Sequence, residues 1–287
     1  MSFEATPIVW HNGRLVEREQ ADPSIASHSL HLGIGVFDGI MAYWNSDRYY
    51  IHRLDAHLNR LRHGATKMGL GFSWSNEDLK LGIESLLEEI PPTNYYIRPI
   101  VYRKEPQLVF REEMPVAVTI LAVTIPRDLD KPLTSHISSF ERVSSLAIPV
   151  TWKICGVYVN SYLSRRAAEL KGFDDAIMLD QEGKITEATA ANLFLLQQET
   201  VVTPKLTPNI FPGITRATLL DIAQSIGIEV IERDIRPDEL GQFNGAFLAA
   251  TMMELKPLTT IFPFEYDSSN HPLFRRFLQE FREITHQ

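Results

Sequence analysis

The chain has 287 residues, is 44% hydrophobic and 22% charged, and carries a formal net charge of −8 with no long run of like charge. This is a globular composition with length enough for a substantial core, in one large or two medium domains. It argues against nucleic acid as a main partner, since that binding rests on phosphate neutralisation by Lys and Arg, and no apolar stretch approaches the roughly 18 residues of a membrane span.

The chain opens with Ile8-Val9-Trp10-His11-Asn12-Gly13-Arg14-Leu15-Val16. Asn-Gly between short apolar runs predicts a hairpin. Leu32 to Ile40 is rich in glycine but lacks the G-x-G-x-x-G spacing of a dinucleotide fingerprint. A helix is predicted from Arg53, because Leu54, Leu58, Leu61, Ala65 and Met68 share one face. A second is predicted over Asn76 to Ile90, stopped by Pro91-Pro92. Tyr95 to Tyr102 and Val116 to Ile125 read as strands. The polar, proline-bearing stretch 126–134 reads as a linker between a small N-terminal domain (1–125) and a larger C-terminal domain (135–287).

The second half begins with strands around 135–142, then an apolar segment and a helix over about 158–171 ending at Gly172. Ala176 to Leu179 and Lys184 to Glu187 flank a turn, Asn192 to Leu196 is another strand, and Pro212-Gly213-Ile214-Thr215-Arg216 opens a helix. Helices and strands mix without strict alternation, so the predicted class is α+β.

The segment from Ala147 to Tyr158 is mostly apolar and holds one charge, Lys153. Desolvating an ammonium is costly, and burial turns lysine into a nucleophilic amine suited to carbonyl chemistry. The competing reading is a strand-end lysine that snorkels to water. Three further features bear on that choice. Gly213, Ile214 and Thr215 at a helix start offer backbone donors for a phosphate. Glu187 is a lone acid among small residues, and a protonated pyridine ring needs a carboxylate partner. Tyr158 follows Lys153 by five residues, in reach of a ring oxygen. The single Cys155 excludes an intramolecular disulfide framework and a Cys-rich zinc site. His28 and His31 have no accompanying acidic or thiol ligands, so no metal is expected. Met1-Ser2-Phe3-Glu4-Ala5 shows no secretory pattern, and a cytoplasmic protein is the expectation.

These residues resemble the fold-type IV pyridoxal-phosphate enzymes, most closely the branched-chain aminotransferases. The motifs run in family order: Val36-Phe37-Asp38-Gly39-Ile40, Arg53 through His57 to Arg60-Leu61, Tyr96-Ile97-Arg98-Pro99, Lys153 with Gly156 and Tyr158, Glu187 to Phe194, Pro212 to Arg216, and Thr251 to Glu254. The resemblance implies a two-domain D-amino-acid-aminotransferase-like fold with a small N-terminal α/β domain and a larger C-terminal domain with a barrel-like sheet. It implies pyridoxal 5′-phosphate as cofactor and Lys153 as Schiff-base lysine and proton shuttle. Glu187 is then the partner of the pyridine nitrogen, with Tyr158 at the ring oxygen and Arg53, Gly213, Ile214, Thr215 and Thr251 at the phosphate. Phe37, Gly39, Tyr96, Arg98, Met252 and Met253 are implied on the substrate side. The implied reaction is ping-pong transamination between a branched-chain L-amino acid and 2-oxoglutarate or a related keto acid, by a homodimer with small-molecule partners.

The chain departs from the branched-chain pattern at Met252-Met253, where the family commonly has two alanines, at Leu32, where bacterial members often carry tyrosine, and at Ala190-Ala191. These changes bear on amino acid choice. Rival readings of the same fold are a D-amino-acid or (R)-amine transaminase and an aminodeoxychorismate lyase.

Overall fold

Asn12 and Gly13 both adopt positive φ, 48° and 94°. That backbone matches the twist of two flanking strands, β1 (Ile8–His11) and β2 (Arg14–Glu17). The computed structural model describes residues 4–105, 115–125 and 131–286. Residues 126–130 of the expected linker lie outside them. The chain divides into two compact units, one of Met1–Arg127, Trp152–Val157 and Thr285–Gln287, the other of Asp128–Thr151 and Tyr158–Ile284. The Lys153 segment thus belongs with the first unit although it lies far along the chain.

After the hairpin the first unit continues with α1 (His28–Leu32), β3 (Gly35–Phe37), β4 (Ile40–Asn45), β5 (Arg48–Ile51), α2 (Leu54–Lys67), α3 (Asn76–Glu88), β6 (Tyr95–Tyr102) and β7 (Ala117–Thr124). Among the described residues its sheet has order β2-β1-β7-β6-β4-β5, with β3 also on β6. One face is covered by Leu58 and Leu61 of α2 and Leu79, Ile83 and Leu86 of α3, packed on Ile97, Val101 and Ile120. Side chains alternate along a strand. Ile97 and Val101 of β6 therefore enter this core, and Tyr96 and Arg98 point to the opposite face. α3 stops at Glu88, short of the predicted Ile90, because a residue before proline disfavours helical backbone.

The second unit holds β8 (Leu133–Ile137), α4 (Tyr158–Glu169), β9 (Asp175–Leu179), β10 (Ile185–Ala188), β11 (Asn192–Leu196), β12 (Thr200–Pro204), α5 (Ile214–Ile226), β13 (Glu229–Arg233), β14 (Gly245–Ala250), β15 (Glu254–Phe262), β16 (Phe264–Glu265) and α6 (Pro272–Thr285). They form a curled sheet of order β10-β9-β8-β15-β14-β11-β12-β13, with β16 on β15. β8 runs parallel to both β9 and β15. The strand expected over 135–142 ends at Ile137, where the Ser138 hydroxyl bonds the backbone N–H and C=O of Phe140 and turns the chain. Leu193, Leu195, Leu248 and Leu258 fill one face of the sheet. Phe194, Leu196 and Phe247 fill the other, against Leu219 and Ile222 of α5 and Phe274, Phe277 and Phe281 of α6. The observed class is α+β, as expected.

Candidate active site

Lys153 is clamped by its backbone. Its carbonyl accepts from Phe37 N–H at 3.3 Å, Ile154 bridges Val36 of β3, and Gly156 N–H donates to Gly33 O at 3.1 Å. Lys153 itself has φ 54°, a left-handed conformation that costs a side-chain-bearing residue roughly 1–2 kcal/mol. The ammonium lies 5.2 Å from the centre of the Phe37 ring. The Arg98 guanidinium lies 4.5 Å from the same ring and 5.2 Å from that of Tyr96. Arg98 Nη2 also donates to the Tyr96 hydroxyl at 3.3 Å. Gly39 completes the group, since a β-carbon there would fall 1.8 Å from the Tyr96 hydroxyl. Lys153, Phe37, Gly39, Tyr96 and Arg98 are thus brought together within one unit.

Behind Phe37 and Gly39 stands a buried ionic brace. Asp38 is fully buried and accepts from Gly39 N–H at 2.7 Å, His57 Nδ1 at 2.8 Å, Arg60 Nε at 2.8 Å and Arg60 Nη2 at 2.8 Å. Burial pushes the Asp38 carboxyl up, but the Arg60 guanidinium and its hydrogen bonds outweigh that and hold it well below the usual carboxylate range. Burial, helped by the charges of Arg60 and Lys153, keeps His57 below its ordinary value against the raising pull of Asp38. His57 rises from α2, whose N-cap is Arg53 at φ 52°. Burial, with Arg53 and His57 nearby, also lowers His52, to about 4. This brace was not foreseen as functional, although Asp38, His57 and Arg60 stand in the quoted motifs.

In the second unit Glu187 is buried on β10. Arg142 Nη2 reaches Oε1 at 2.8 Å, Phe211 N–H donates to Oε1 at 3.1 Å, and Asn192 Nδ2 donates to Oε2 at 3.1 Å. Asn192 Nδ2 also donates to Phe211 O at 3.0 Å, just ahead of Gly213, the N-cap of α5. Gly213 supplies no capping side chain. The first amides of α5, those of Ile214 and Thr215, have no intrahelical acceptor and suit an anion. Glu187 and the start of α5 are therefore tied together through Asn192 and Phe211. Tyr158 is the first residue of α4. Thr251, Met252 and Met253 form the turn between β14 and β15, and Met253 packs against the cluster that holds Leu193, Leu195 and Leu248.

These donors fit a flat phosphorylated pyridine aldehyde. A buried, ion-paired carboxylate suits a ring N–H, and an uncapped helix start suits a phosphate. The Nε of buried Arg142 adds a donor with no hydrogen-bond partner among the described residues. Arg142 was missed by sequence reasoning, because a single arginine in Phe140-Glu141-Arg142-Val143 carries no local signal.

A family model described as amino-transferase class IV matches residues 35–261. A probable branched-chain-amino-acid aminotransferase of Aquifex aeolicus (strain VF5) is 33% identical, over 87% of this chain and 82% of its own length. The branched-chain aminotransferase of Thermoproteus uzoniensis, solved with norvaline, superposes with a TM-score of 0.92 at 32% identity, covering 98% of this chain and 95% of that one. That of Thermobaculum terrenum, solved in its PLP form, gives 0.92 at 26% identity, covering 99% and 95%. With the family match spanning most of its length, the chain belongs to the class IV aminotransferases, the fold-type IV pyridoxal-phosphate enzymes, and within them is most like the branched-chain type.

Proposed function

We propose that the enzyme moves the amino group of a branched-chain L-amino acid to 2-oxoglutarate or a related keto acid, in ping-pong order. The observation that carries this reading is the shared Phe37 ring, with the Lys153 amine at 5.2 Å and the Arg98 guanidinium at 4.5 Å. An amine beside an apolar ring suits carbonyl chemistry, and a guanidinium beside it suits a carboxylate. Bound to the enzyme, pyridoxal 5′-phosphate supplies an aldehyde that condenses with amines and a ring that draws off electron density.

The chain's own residues do the rest. Lys153 Nζ takes the proton from the substrate α-carbon and later returns one. Glu187 holds the proton on the pyridine nitrogen, and Tyr158 holds the ring oxygen. Arg53, Gly213, Ile214, Thr215 and Thr251 hold the phosphate. Phe37, Gly39, Met252 and Met253 serve the substrate side. Arg98, steadied by Tyr96, takes the distal carboxylate of glutamate, so one site serves two substrates.

A homodimer in the cytoplasm completes the reading. α4 leaves Val159, Tyr162 and Leu163 exposed, with Leu146 exposed in the loop before it, a face suited to a second copy. The lone cysteine agrees with a reducing compartment, its thiol pushed up to about 11 by burial.

The test is a half-reaction screen that follows the absorbance of the bound cofactor with L- and D-amino acids and chiral amines. L-leucine, L-isoleucine and L-valine are expected to convert it, and 2-oxoglutarate to restore it. Conversion by D-amino acids or (R)-amines alone would overturn the reading. Release of pyruvate without a second keto acid would replace it with a lyase.

A further inference from the structure

Glu187 is a buried carboxylate, and burial favours its protonated form against the pull of hydrogen bonds and nearby cations. Two neutral donors, Phe211 N–H and the Asn192 amide, orient it and favour its ionised form without supplying charge. Arg142 supplies the charge, from 2.8 Å. The arginine is itself fixed at its backbone. Its N–H donates to Leu179 O at 2.7 Å, and its C=O accepts from Gln181 Nε2 at 2.6 Å. The guanidinium therefore starts from a fixed point at the end of β9 and reaches across to β10. Other charges on these elements are engaged elsewhere. Asp175 on β9 accepts from the Thr189 hydroxyl at 2.6 Å and from Ala176 N–H at 2.7 Å. Lys184, just before β10, pairs with Glu182 at 2.7 Å and Asp234 at 3.0 Å.

From this geometry we infer that Arg142 is a positioning residue that keeps Glu187 ionised and aimed before the cofactor arrives, so that the pyridine ring binds with its nitrogen protonated. The inference rests on the reading of Glu187 as partner of the ring nitrogen. An ionised Glu187 accepts a hydrogen bond from a protonated ring. A neutral Glu187 instead donates one to an unprotonated ring, which is the weaker electron sink. Arginine suits the role because it stays charged at any working pH, and its planar fork can meet Glu187 while leaving Nε for a second partner.

The experiment measures binding of pyridoxal 5′-phosphate to the full chain stripped of cofactor, by fluorescence titration at about pH 6 and about pH 8, a window above the ordinary carboxylate range. Wild type is expected to bind equally at both. Arg142→Met is expected to bind about tenfold more weakly at the lower pH than at the higher, a ratio equivalent to about 1.4 kcal/mol. Arg142→Lys is expected to recover most of the loss, which a purely steric role would not allow. Glu187→Gln is expected to bind weakly at both values.

The two readings fail differently. If Glu187→Gln binds as tightly as wild type, Glu187 is not the ring partner and the functional reading of that residue fails. If Glu187→Gln is weak and Arg142→Met binds like wild type at both values, the inference about Arg142 fails alone. Should Arg142→Met not fold, the infrared carboxylate difference between cofactor-free wild type and Glu187→Gln decides the matter. An ionised band at about pH 6 supports the inference, and a protonated band overturns it.

Discussion

The side-chain oxygen of Asn192 stands 2.2 Å from the point where a β-carbon on Gly213 would lie. No real contact is that short, and Asn192 cannot swing aside freely, since its Nδ2 is committed to Glu187 and to Phe211 O. A methyl group at 213 would therefore disturb the start of α5 and the carboxylate of Glu187 together. Gly213→Ala is expected to weaken pyridoxal 5′-phosphate binding by about tenfold or more, because both ends of the ring lose placement. Fluorescence titration checks this, and unchanged affinity would show that the two features are not coupled.

Lys153 allows its chemistry and its backbone to be separated. Lys153→Ala and Lys153→Gly are both expected to abolish multiple-turnover transamination. They should differ in stability, because φ 54° suits glycine and strains alanine. The glycine variant is expected to be more stable by about 1 kcal/mol, read from denaturant unfolding. Sustained turnover in either variant would remove Lys153 from the mechanism, and equal stabilities would show that the segment relaxes.

Arg98 touches two rings and one hydroxyl, and its remaining donors suit a carboxylate. Arg98→Ala is expected to lower kcat/KM for glutamate and 2-oxoglutarate by about tenfold to a hundredfold, the worth of a charge-assisted hydrogen bond of roughly 1.5–3 kcal/mol. The loss for leucine should be smaller, because leucine has no distal carboxylate. Steady-state kinetics with both donors decide this, and equal losses would rule out the assigned role.

Legibility in the sequence followed the range of each interaction. α2 and α3 were readable because Leu58, Leu61, Leu79 and Ile83 repeat at helical spacing, which is local information. Lys153 stood out because one charge breaks an apolar run, and Glu187 because it is a lone acid among small residues. The clamp on Lys153 was not readable, since Gly33, Val36 and Phe37 lie far upstream and act through backbone atoms. The parallel pairing of β8 with β9 and β15 was hidden for the same reason. Arg142 is the sharpest case, because surface and buried arginines look alike until the fold supplies the partner carboxylate.

The Asp38 brace predicts how the enzyme responds to acid. Asp38 is held below its ordinary 3.8, so it contributes stability above about pH 4 and loses it as the pH falls through its folded value. His57 is also held below its ordinary 6.5. The unfolded chain then binds a proton that the folded one refuses, and stability drops as pH falls below about 6.5. Urea unfolding from about pH 8 downward should therefore show a first decline below about 6.5 and a steeper one below about 4. Asp38→Asn leaves the largely covered Arg60, its side chain 12% exposed, without this counter-charge, and is expected to cost about 3 kcal/mol at neutral pH, the low end for a broken buried pair. It should also shrink the steeper decline while leaving the first, the remainder coming from other paired carboxylates such as Glu187. His57→Gln, which keeps a donor toward Asp38, should shrink the first decline instead, with His52 supplying part of what remains. If both declines keep their full wild-type size in both variants, the acid response arises elsewhere, and the brace serves only to hold the Phe37–Gly39 turn in place.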